Sequence, residues 1–211
     1  IYVTLMEHHI GYSQRAKYYR EGSGKKLLYV LHGYGQLAKF FIRKFHPAVS
    51  LDYTIIAPEG QHYFYLNGTS GRVGASWMTK ENREQDIQNY LGYLDAIHAE
   101  LQQENDWEEI VILGFSQGVA TAFRWLAHNN IKPSTFLICS GLVPPDVDLN
   151  IKKVVFDPIQ MTYFSGVNDP YRTEASVQEF YDAVAQSQLD MELVNFDGVH
   201  EVYVDGVMER L

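Results

Sequence analysis

Short apolar runs alternate along the chain with amphipathic stretches, and turns marked by glycine or proline separate them. The apolar runs predict strands, which fall at 26–31, 53–57, 109–114, 135–140, 161–165 and 191–195. The amphipathic stretches predict helices, which fall at 37–45, 82–101, 117–128, 174–187 and 202–211. Strands that alternate with helices are joined by parallel crossovers, so the pattern predicts a mostly parallel sheet with helices on both faces. Ligands of such sheets bind at the carboxyl ends of the strands.

Three parts of the chain depart from this alternation. Residues 1–10 and 12–20 meet at Gly11 and predict an antiparallel hairpin at the N-terminal end. Residues 59–79 form a connection without clear periodicity that is longer than usual, which is typical of functional or mobile segments. Prolines stiffen residues 142–159, where a crossover helix would otherwise be expected.

The helix that begins near Asn82 has the most regular spacing of apolar residues. Asparagine is a favoured N-cap residue, and Gln85 follows three positions later. This spacing predicts a capping box at the start of the helix.

Composition and charge narrow the possible partners. The chain has 46% hydrophobic and 20% charged residues, which is typical of one globular domain spanning residues 1–211. The net charge of −9 repels phosphate backbones, so nucleic acid is not expected as a partner. The apolar runs are shorter than the roughly 20 residues of a membrane span, so integral membrane association is not expected either. A single cysteine, Cys139, and the lack of a recognisable leader peptide favour a cytoplasmic protein.

The segment Gly114-Phe115-Ser116-Gln117-Gly118 lies where a predicted strand meets a predicted helix. A serine on such a tight turn is held in a strained conformation with its hydroxyl exposed, and the flanking glycines let strand and helix approach closely. Read alone, Gly-x-Ser-x-Gly is short enough to occur by chance, and a plain packed turn is the alternative. The strand–turn–helix context favours Ser116 as a nucleophile, with the backbone N–H of Gln117 directed at the reacting carbonyl.

A serine nucleophile needs a general base, and in proteins with this turn the acid and the histidine follow the serine along the chain. Only His128 and His200 come after Ser116. His128 ends the helix that starts at the serine, about 18 Å away, and is better explained as a cation at a helix C-terminus. His200 follows the last predicted strand, so we expect it to act as the base.

The carboxylate that orients the base should also follow a strand end. Asp169 lies in a turn after the strand at 161–165. Asp197 is the alternative, but it precedes His200 by only three residues, which makes a hydrogen bond to the side of the ring harder to arrange. The sequence favours Asp169 and leaves Asp197 open.

A second oxyanion donor should come from the loop after the first buried strand, which reads His32-Gly33-Tyr34-Gly35. Its glycines let a backbone N–H face the site, and the N–H of Tyr34 is our candidate. His32 precedes the serine in the chain and is interpreted as a buried ring that supports the loop.

These segments, together with Gly166-Val167-Asn168-Asp169-Pro170 and Gly198-Val199-His200, resemble the phospholipase/carboxylesterase family of α/β-hydrolases, which includes acyl-protein thioesterases. The order and spacing match over essentially the whole chain. The resemblance implies an α/β-hydrolase fold, a Ser116, Asp169 and His200 triad, an oxyanion hole from the Tyr34 and Gln117 amides, and no metal or organic cofactor. Val119 and Gln36 depart from the residues that many members carry, another glycine and an aspartate.

The segment 59–79 is expected to form one wall of the substrate site because it combines aromatic rings with a cation. The candidate binding residues are Tyr63, Tyr65, Arg72 and Trp77. The alternatives are that the rings only pack the loop onto the sheet and that Arg72 pairs with a surface acid. Residues 142–159 are a second candidate wall.

The sequence thus predicts a serine hydrolase that cleaves carboxylic esters or thioesters of short to medium acyl chains through an acyl-enzyme intermediate. Its expected partner is a small-molecule ester or thioester, and the expected assembly is a monomer or a homodimer. A non-catalytic protein of the same fold that binds a ligand or partner is the alternative.

Overall fold

A computed structural model describes residues 5–211 of the chain. Its main sheet has seven strands in the order β1-β3-β2-β6-β7-β8-β9, and a separate hairpin is formed by β4 and β5. The strands are β1 (Tyr18–Glu21), β2 (Lys26–Leu31), β3 (Tyr53–Pro58), β4 (His62–Tyr65), β5 (Val73–Ser76), β6 (Glu109–Phe115), β7 (Thr135–Cys139), β8 (Gln160–Gly166) and β9 (Met191–Phe196). The helices are α1 (Ala38–Phe41), a 3₁₀ helix (Ile42–Leu51), α2 (Arg83–Glu104), α3 (Gln117–His128), α4 (Lys153–Phe156), α5 (Glu174–Ser187) and α6 (Val204–Met208). The six predicted strands of the main sheet are all present.

Alternate residues of the central strands face two separate cores. In β2, Leu27, Tyr29 and Leu31 pack with α2 and α3 on one face, whereas Leu28 and Val30 pack with α1, the 3₁₀ helix and α6 on the other. Both sets of side chains are fully buried. The pairs within the main sheet are parallel, except that β1 runs antiparallel to β3. The predicted fold, a mostly parallel sheet covered by helices on both faces with an antiparallel pair at its N-terminal end, is confirmed.

The antiparallel pair has a different partner from the predicted one. Residues 5–17 form no strand, residues 1–4 lie outside the described part of the chain, and β1 pairs with β3 instead, with Tyr18 opposite Pro58. The proposed hairpin about Gly11 is therefore wrong for the residues described. The apolar side chains of this segment remain exposed, whereas β3 is a fully buried strand with a free edge for pairing.

The prediction of an irregular segment at 59–79 is also wrong, because it contains the hairpin of β4 and β5. Tyr65 lies opposite Val73, and Gly68 and Gly71 take positive φ values of 62° and 88° in the turn between the strands. Glycine adopts such values without steric cost, which a search for hydrophobic periodicity does not detect. Ala75 exchanges hydrogen bonds with the loop after β2, because Gly35 N–H donates to its carbonyl at 2.8 Å and its own N–H donates to Gln36 at 3.1 Å.

Helix α2 begins at Arg83, directly after Asn82, as the sequence predicted, but the capping box does not form. The side chain of Asn82 makes no capping hydrogen bond, and Gln85 donates to Asn89 at 3.0 Å instead. A buried acid of the first turn, Asp86, accepts a hydrogen bond from the N–H of Thr79 at 3.1 Å. The helix start is therefore tied to the end of the 59–79 segment by a carboxylate.

One ion-pair cluster anchors the proline-rich segment 142–159, which contains only the single turn α4. Arg124 of α3 donates two hydrogen bonds of 2.8 Å to the carboxylate of Asp146, and Arg83 pairs with the same carboxylate. The side chain of Arg124 is 8% exposed, so Asp146 compensates a nearly buried charge.

This cluster leads to a pH-dependent stability prediction. The hydrogen bonds from Arg124 lower the pKa of Asp146 from 3.8 to about 2. A lowered pKa in the folded state means that the contribution of the carboxylate to stability is present above pH 3.8 and is lost as the pH falls towards 2. We expect the free energy of unfolding of the wild type to exceed that of Asp146→Asn at pH 6, and the difference to shrink towards pH 2. Urea unfolding at a series of pH values measures it.

Asp106→Asn is the matched control, because Asp106 is exposed and makes no side-chain hydrogen bond within residues 5–211. Its difference from wild type is expected to stay small at each pH. A wild-type advantage over Asp146→Asn that is the same at pH 6 and pH 2 would contradict the assignment.

Candidate active site

Ser116 occupies the sharp turn between β6 and α3, with φ 53° and ψ −117°. A Cβ atom on Gly118 would lie 2.1 Å from the carbonyl oxygen of Leu31, and one on Gly114 would lie 2.7 Å from the Cα of Val119. Only glycine fits at either position, which explains the spacing of the motif. The N–H of Ser116 donates to Cys139 at 2.9 Å, so the turn is held by the neighbouring strand β7. The strand–turn–helix geometry predicted from the sequence is present.

A continuous line of hydrogen bonds joins Ser116, His200 and Asp169. Ser116 Oγ lies 2.9 Å from His200 Nε2, and His200 Nδ1 lies 2.7 Å from Asp169 Oδ2. Because the carboxylate can only accept, Nδ1 carries the proton and Nε2 is free to accept the serine hydroxyl proton. Asp169 Oδ1 accepts from the N–H of Tyr171 at 2.8 Å, which fixes the orientation of the carboxylate.

Aromatic rings enclose this line on two sides. The rings of Phe115 and Tyr171 lie 5.1 and 4.7 Å from the imidazole of His200, measured between centroids. The side chain of Asp169 is 6% exposed and that of His200 is 21% exposed. The carboxylate is therefore shielded from water, while the imidazole remains partly accessible.

The alternative acid, Asp197, and the alternative base, His128, lie outside this line of hydrogen bonds. Asp197 accepts a hydrogen bond from the side-chain amide of Asn168 at 3.0 Å and makes none with His200. His128 lies at the far end of α3 and pairs with Asp95 at 3.4 Å. The structure thus brings Asp169, and not Asp197, to the imidazole.

The backbone N–H groups of Tyr34 and Gln117 are without an acceptor within residues 5–211. The loop that carries Tyr34 is close to the serine, because a Cβ on Gly33 would lie 3.1 Å from Ser116 Cβ. Gln36 holds the loop by accepting from the N–H of Gly33 at 2.9 Å. The glutamine that departs from the family pattern therefore stabilises the loop that carries Tyr34.

The side chain of Gln117 connects the turn to the end of the 59–79 segment. Its Oε1 accepts from the N–H of Trp77 at 3.1 Å, and its Nε2 donates to the carbonyl of Met78 at 3.1 Å. It also exchanges hydrogen bonds with Ser76. From the sequence, only the backbone N–H of Gln117 was predicted to take part, because no local feature pairs its side chain with so distant a segment.

His32 is buried and supports the loop, in line with its interpretation from the sequence. Its Nδ1 lies 2.8 Å from the carbonyl of Gly33, and its Nε2 accepts from the N–H of Gly60 at 2.9 Å. Burial lowers the pKa of the ring, so it stays neutral at neutral pH. Its carbonyl accepts from the indole N–H of Trp77 at 2.8 Å.

The predicted substrate-binding residues of the 59–79 segment differ in exposure. Tyr63 and Tyr65 are about half exposed on β4, and the hydroxyl of Tyr63 donates to Glu59 at 3.1 Å. Arg72 is exposed, and no acid pairs with it in the described part of the chain. Trp77 is fully buried against His32, so the prediction that it contacts substrate is wrong. It packs the segment onto the sheet, which was the alternative.

A cleft of about 40 Å³ adjoins His200, and Tyr34 is not among its lining residues. Its walls come from the strand ends of β7 and β8 and from the start of α5, and they include Asp169, Tyr171, Arg172 and Leu142. Of the second predicted wall, 142–159, only Leu142 takes part. Tyr171 and Arg172 were not among the residues predicted from the sequence, although they lie only two and three positions after the candidate acid.

The other departure from the family pattern, Val119, is buried beside this region. A Cβ on Gly141 would lie 2.4 Å from Val119 Cβ, so the valine side chain occupies space that only a glycine at 141 leaves free.

Within residues 5–211, no three His, Cys, Asp or Glu side chains are grouped closely enough to hold a metal ion. No helix in this part of the chain has the length and apolar character needed to span a membrane.

Comparison with known proteins agrees with this fold. No curated protein sequence matches the chain. Among solved structures, an uncharacterized protein from Bacillus cereus has a TM-score of 0.72 at 17% identity over 97% of this chain, which spans 62% of that protein. The acyl-protein thioesterase 2 of Zea mays has a TM-score of 0.69 at 16% identity, with 93% of this chain and 96% of that chain covered. The Bacillus cereus carboxylesterase has a TM-score of 0.65 at 17% identity, with 92% and 91% covered.

Likeness at such low identity shows the fold alone. The family model of phospholipase/carboxylesterase, however, matches residues 20–210, which is nearly the whole chain. The chain therefore belongs to the phospholipase/carboxylesterase family of α/β-hydrolases.

Proposed function

We propose that the protein is a serine hydrolase that cleaves carboxylic esters or thioesters through an acyl-enzyme intermediate. The observation that carries the proposal is the line of hydrogen bonds from Ser116 Oγ through His200 to Asp169, at 2.9 and 2.7 Å. Family membership supports the same reaction class. The proposed site needs no metal or organic cofactor, because nucleophile, base and oxyanion donors all come from the chain.

In the acylation step, His200 Nε2 takes the hydroxyl proton as Ser116 Oγ attacks the carbonyl carbon. Asp169 holds the proton on Nδ1 and stabilises the imidazolium that forms. The Tyr34 and Gln117 amides donate to the oxyanion, and because they are already held in place, no reorganisation is needed as charge develops. The tetrahedral intermediate then collapses, the bond to the leaving alkoxide or thiolate breaks, and His200 gives that atom its proton.

Deacylation repeats these roles with water as the nucleophile. His200 Nε2 takes a proton from water, which attacks the acyl carbonyl, and the collapse of the second intermediate returns the proton to Ser116 Oγ. The products are a carboxylic acid and the regenerated serine.

The lone cysteine, Cys139, is buried and free, which supports a reducing, cytoplasmic site of action as part of the proposal.

A fluorophosphonate probe tests the proposal, because it forms a stable adduct with an activated serine. We expect the folded protein to be labelled at Ser116, located by peptide mass spectrometry, and heat-denatured protein not to be labelled. Folded protein that remains unlabelled would favour the non-catalytic binding protein of the same fold.

We expect a preference for short to medium acyl chains. The half-exposed rings of Tyr63 and Tyr65 stand on the β4–β5 hairpin, which is hydrogen-bonded to the loop that carries Tyr34. A long chain would find little enclosed apolar surface, so it would gain little from burial. Nitrophenyl esters from acetate to palmitate measure the preference, with the Ser116→Ala rate subtracted, and butyrate is expected to react faster than palmitate. Faster turnover of palmitate would contradict the prediction.

A further inference from the structure

One arginine, Arg172, lies in the cleft beside His200. It follows Asp169 by three residues, and its backbone N–H donates to the carbonyl of Asp169 at 3.0 Å. Among the described residues that line the cleft, it is the one lysine or arginine. The loop after β8 therefore delivers both the carboxylate that orients His200 and a cation to the same side of the imidazole.

The side chain of Arg172 is only partly buried, and its guanidinium has few partners among residues 5–211. Among residues 5–211 its Nε is buried without a hydrogen-bond partner, and its one side-chain hydrogen bond is long, 3.4 Å from Nη2 to Asn195 Oδ1. No carboxylate of residues 5–211 lies within 4 Å of it, whereas Arg124 and Arg210 bind acids at 2.8 and 2.6 Å. A buried donor without a partner is destabilising, so a ligand that accepts its hydrogen bond would be bound favourably.

The rest of the cleft has the character of a site for a small anion. Tyr163 and Ser165, which carry hydroxyl groups, line it together with Arg172. Burial raises the pKa of Tyr163, so its hydroxyl stays protonated and can donate. The volume of about 40 Å³ is a fraction of the roughly 150 Å³ that accommodates a benzene molecule, and it suits a group of carboxylate size.

The position of the cleft shows which part of a substrate would reach it. His200 Nε2 must protonate the leaving atom, so the leaving group departs on the side of His200. The cleft adjoins His200, while Tyr34 and Gln117 do not line it. A group bound in the cleft would therefore be part of the leaving alcohol or thiol. The carbonyl oxygen would lie elsewhere, at the Tyr34 and Gln117 amides. With a net charge of −9 the protein as a whole repels anions, so recognition of one requires a local cation.

We propose that Arg172 binds a carboxylate on the leaving group, so that the preferred substrates are esters of small hydroxy acids or thioesters of small mercapto acids. The inference rests on the proposed esterase function. The covalent step is unchanged: the bond from the acyl carbon to the leaving oxygen or sulfur breaks, and that atom takes the proton from His200. Arg172 contributes by binding the charged end of the leaving group before and during this step.

Two acetate esters of matched size test the proposal, acetoxyacetate and its uncharged counterpart acetoxyacetamide. Hydrolysis is followed for the wild type and for Arg172→Gln, and the ratio of kcat/KM for the charged ester to that for the neutral ester is compared. We expect this ratio to fall by about 10- to 100-fold in Arg172→Gln, chiefly through KM. Arg172→Lys should give an intermediate ratio, because lysine keeps the charge but loses the paired donors.

Arg43→Gln is the matched control for a general effect of charge, since Arg43 is exposed on the 3₁₀ helix that covers the opposite face of the sheet. Its ratio is expected to equal that of the wild type. Thermal melting of each variant shows that folding is preserved. A ratio that is unchanged in Arg172→Gln, or that falls equally in Arg43→Gln, would overturn the inference.

The test separates failure of this inference from failure of the proposed function. If the wild type hydrolyses acetoxyacetamide faster than Ser116→Ala does, the esterase function stands whatever the ratio shows. If neither ester is hydrolysed above that background, the esterase function fails, and binding of glycolate measured by calorimetry still decides the anion site. Glycolate binding that is lost in Arg172→Gln supports the site, and binding that is absent or equal in both proteins overturns it.

Discussion

Replacement of Ser116 by alanine is expected to lower kcat for ester hydrolysis by about 10⁴-fold or more. The hydroxyl that lies 2.9 Å from His200 Nε2 is the proposed nucleophile, and no acyl-enzyme can form without it. A small residual rate is expected from the oxyanion donors and from substrate binding alone, because these do not depend on the serine side chain. Initial rates with nitrophenyl butyrate measure the effect, since its hydrolysis is followed directly by absorbance.

Ser50→Ala is the control for this variant, because Ser50 is exposed and its side chain makes no hydrogen bond within residues 5–211. It should retain wild-type rates. Thermal melting of both variants shows that neither has lost its fold. Equal hydrolysis by the wild type and Ser116→Ala would mean that another group carries out the reaction, and the proposed mechanism would be abandoned.

The second large effect is expected for Asp169→Asn, which should lower kcat by about 10³- to 10⁴-fold with little change in KM. An asparagine amide can donate to His200 Nδ1, which would favour the tautomer with the proton on Nε2. That tautomer cannot accept the proton of Ser116. The cost therefore falls on the chemical step and not on substrate binding, and steady-state kinetics across a pH series measure it.

Asp197→Asn is the matched control for Asp169→Asn. Asp197 follows β9 and bonds to Asn168, without a hydrogen bond to the imidazole. We expect its variant to keep most of the wild-type kcat. If Asp197→Asn alone lost activity, the acid would be wrongly assigned, even though its carboxylate is not bound to His200 in this conformation.

The local pattern of the chain was sufficient for much of the architecture and for the nucleophile. The strands of the main sheet are apolar runs because they are buried on both faces, so a composition signal marks each of them. Ser116 was identifiable because its strained turn imposes glycine at 114 and 118 through contacts with backbone atoms. Such short-range steric requirements restrict the residue types at neighbouring positions, so they are visible in the sequence.

Local sequence could not separate Asp169 from Asp197, because both acids follow strand ends. The choice depends on β8 and β9 lying side by side in parallel, with Gly166 opposite Phe196. Their following loops then meet, and the turn after β8 places its carboxylate against His200 Nδ1. The pairing of two strands is a property of the sheet and not of either segment, which is why the sequence alone left the alternative open.

The surroundings of the site were decided by tertiary structure to a still greater degree. Whether Trp77 contacts substrate or packs inside depends on how the β4–β5 hairpin lies against the loop after β2, and the clamp by Gln117 joins residues far apart in the chain. The Nε of Arg172, which has no hydrogen-bond partner in the described part of the chain, points to a ligand only because the residue lines a cleft. The sequence by itself determined the layered fold and the strained serine, because burial and backbone strain act locally. The tertiary structure decided which distant side chains meet, because those contacts arise only when the strand order brings separate loops to one edge of the sheet.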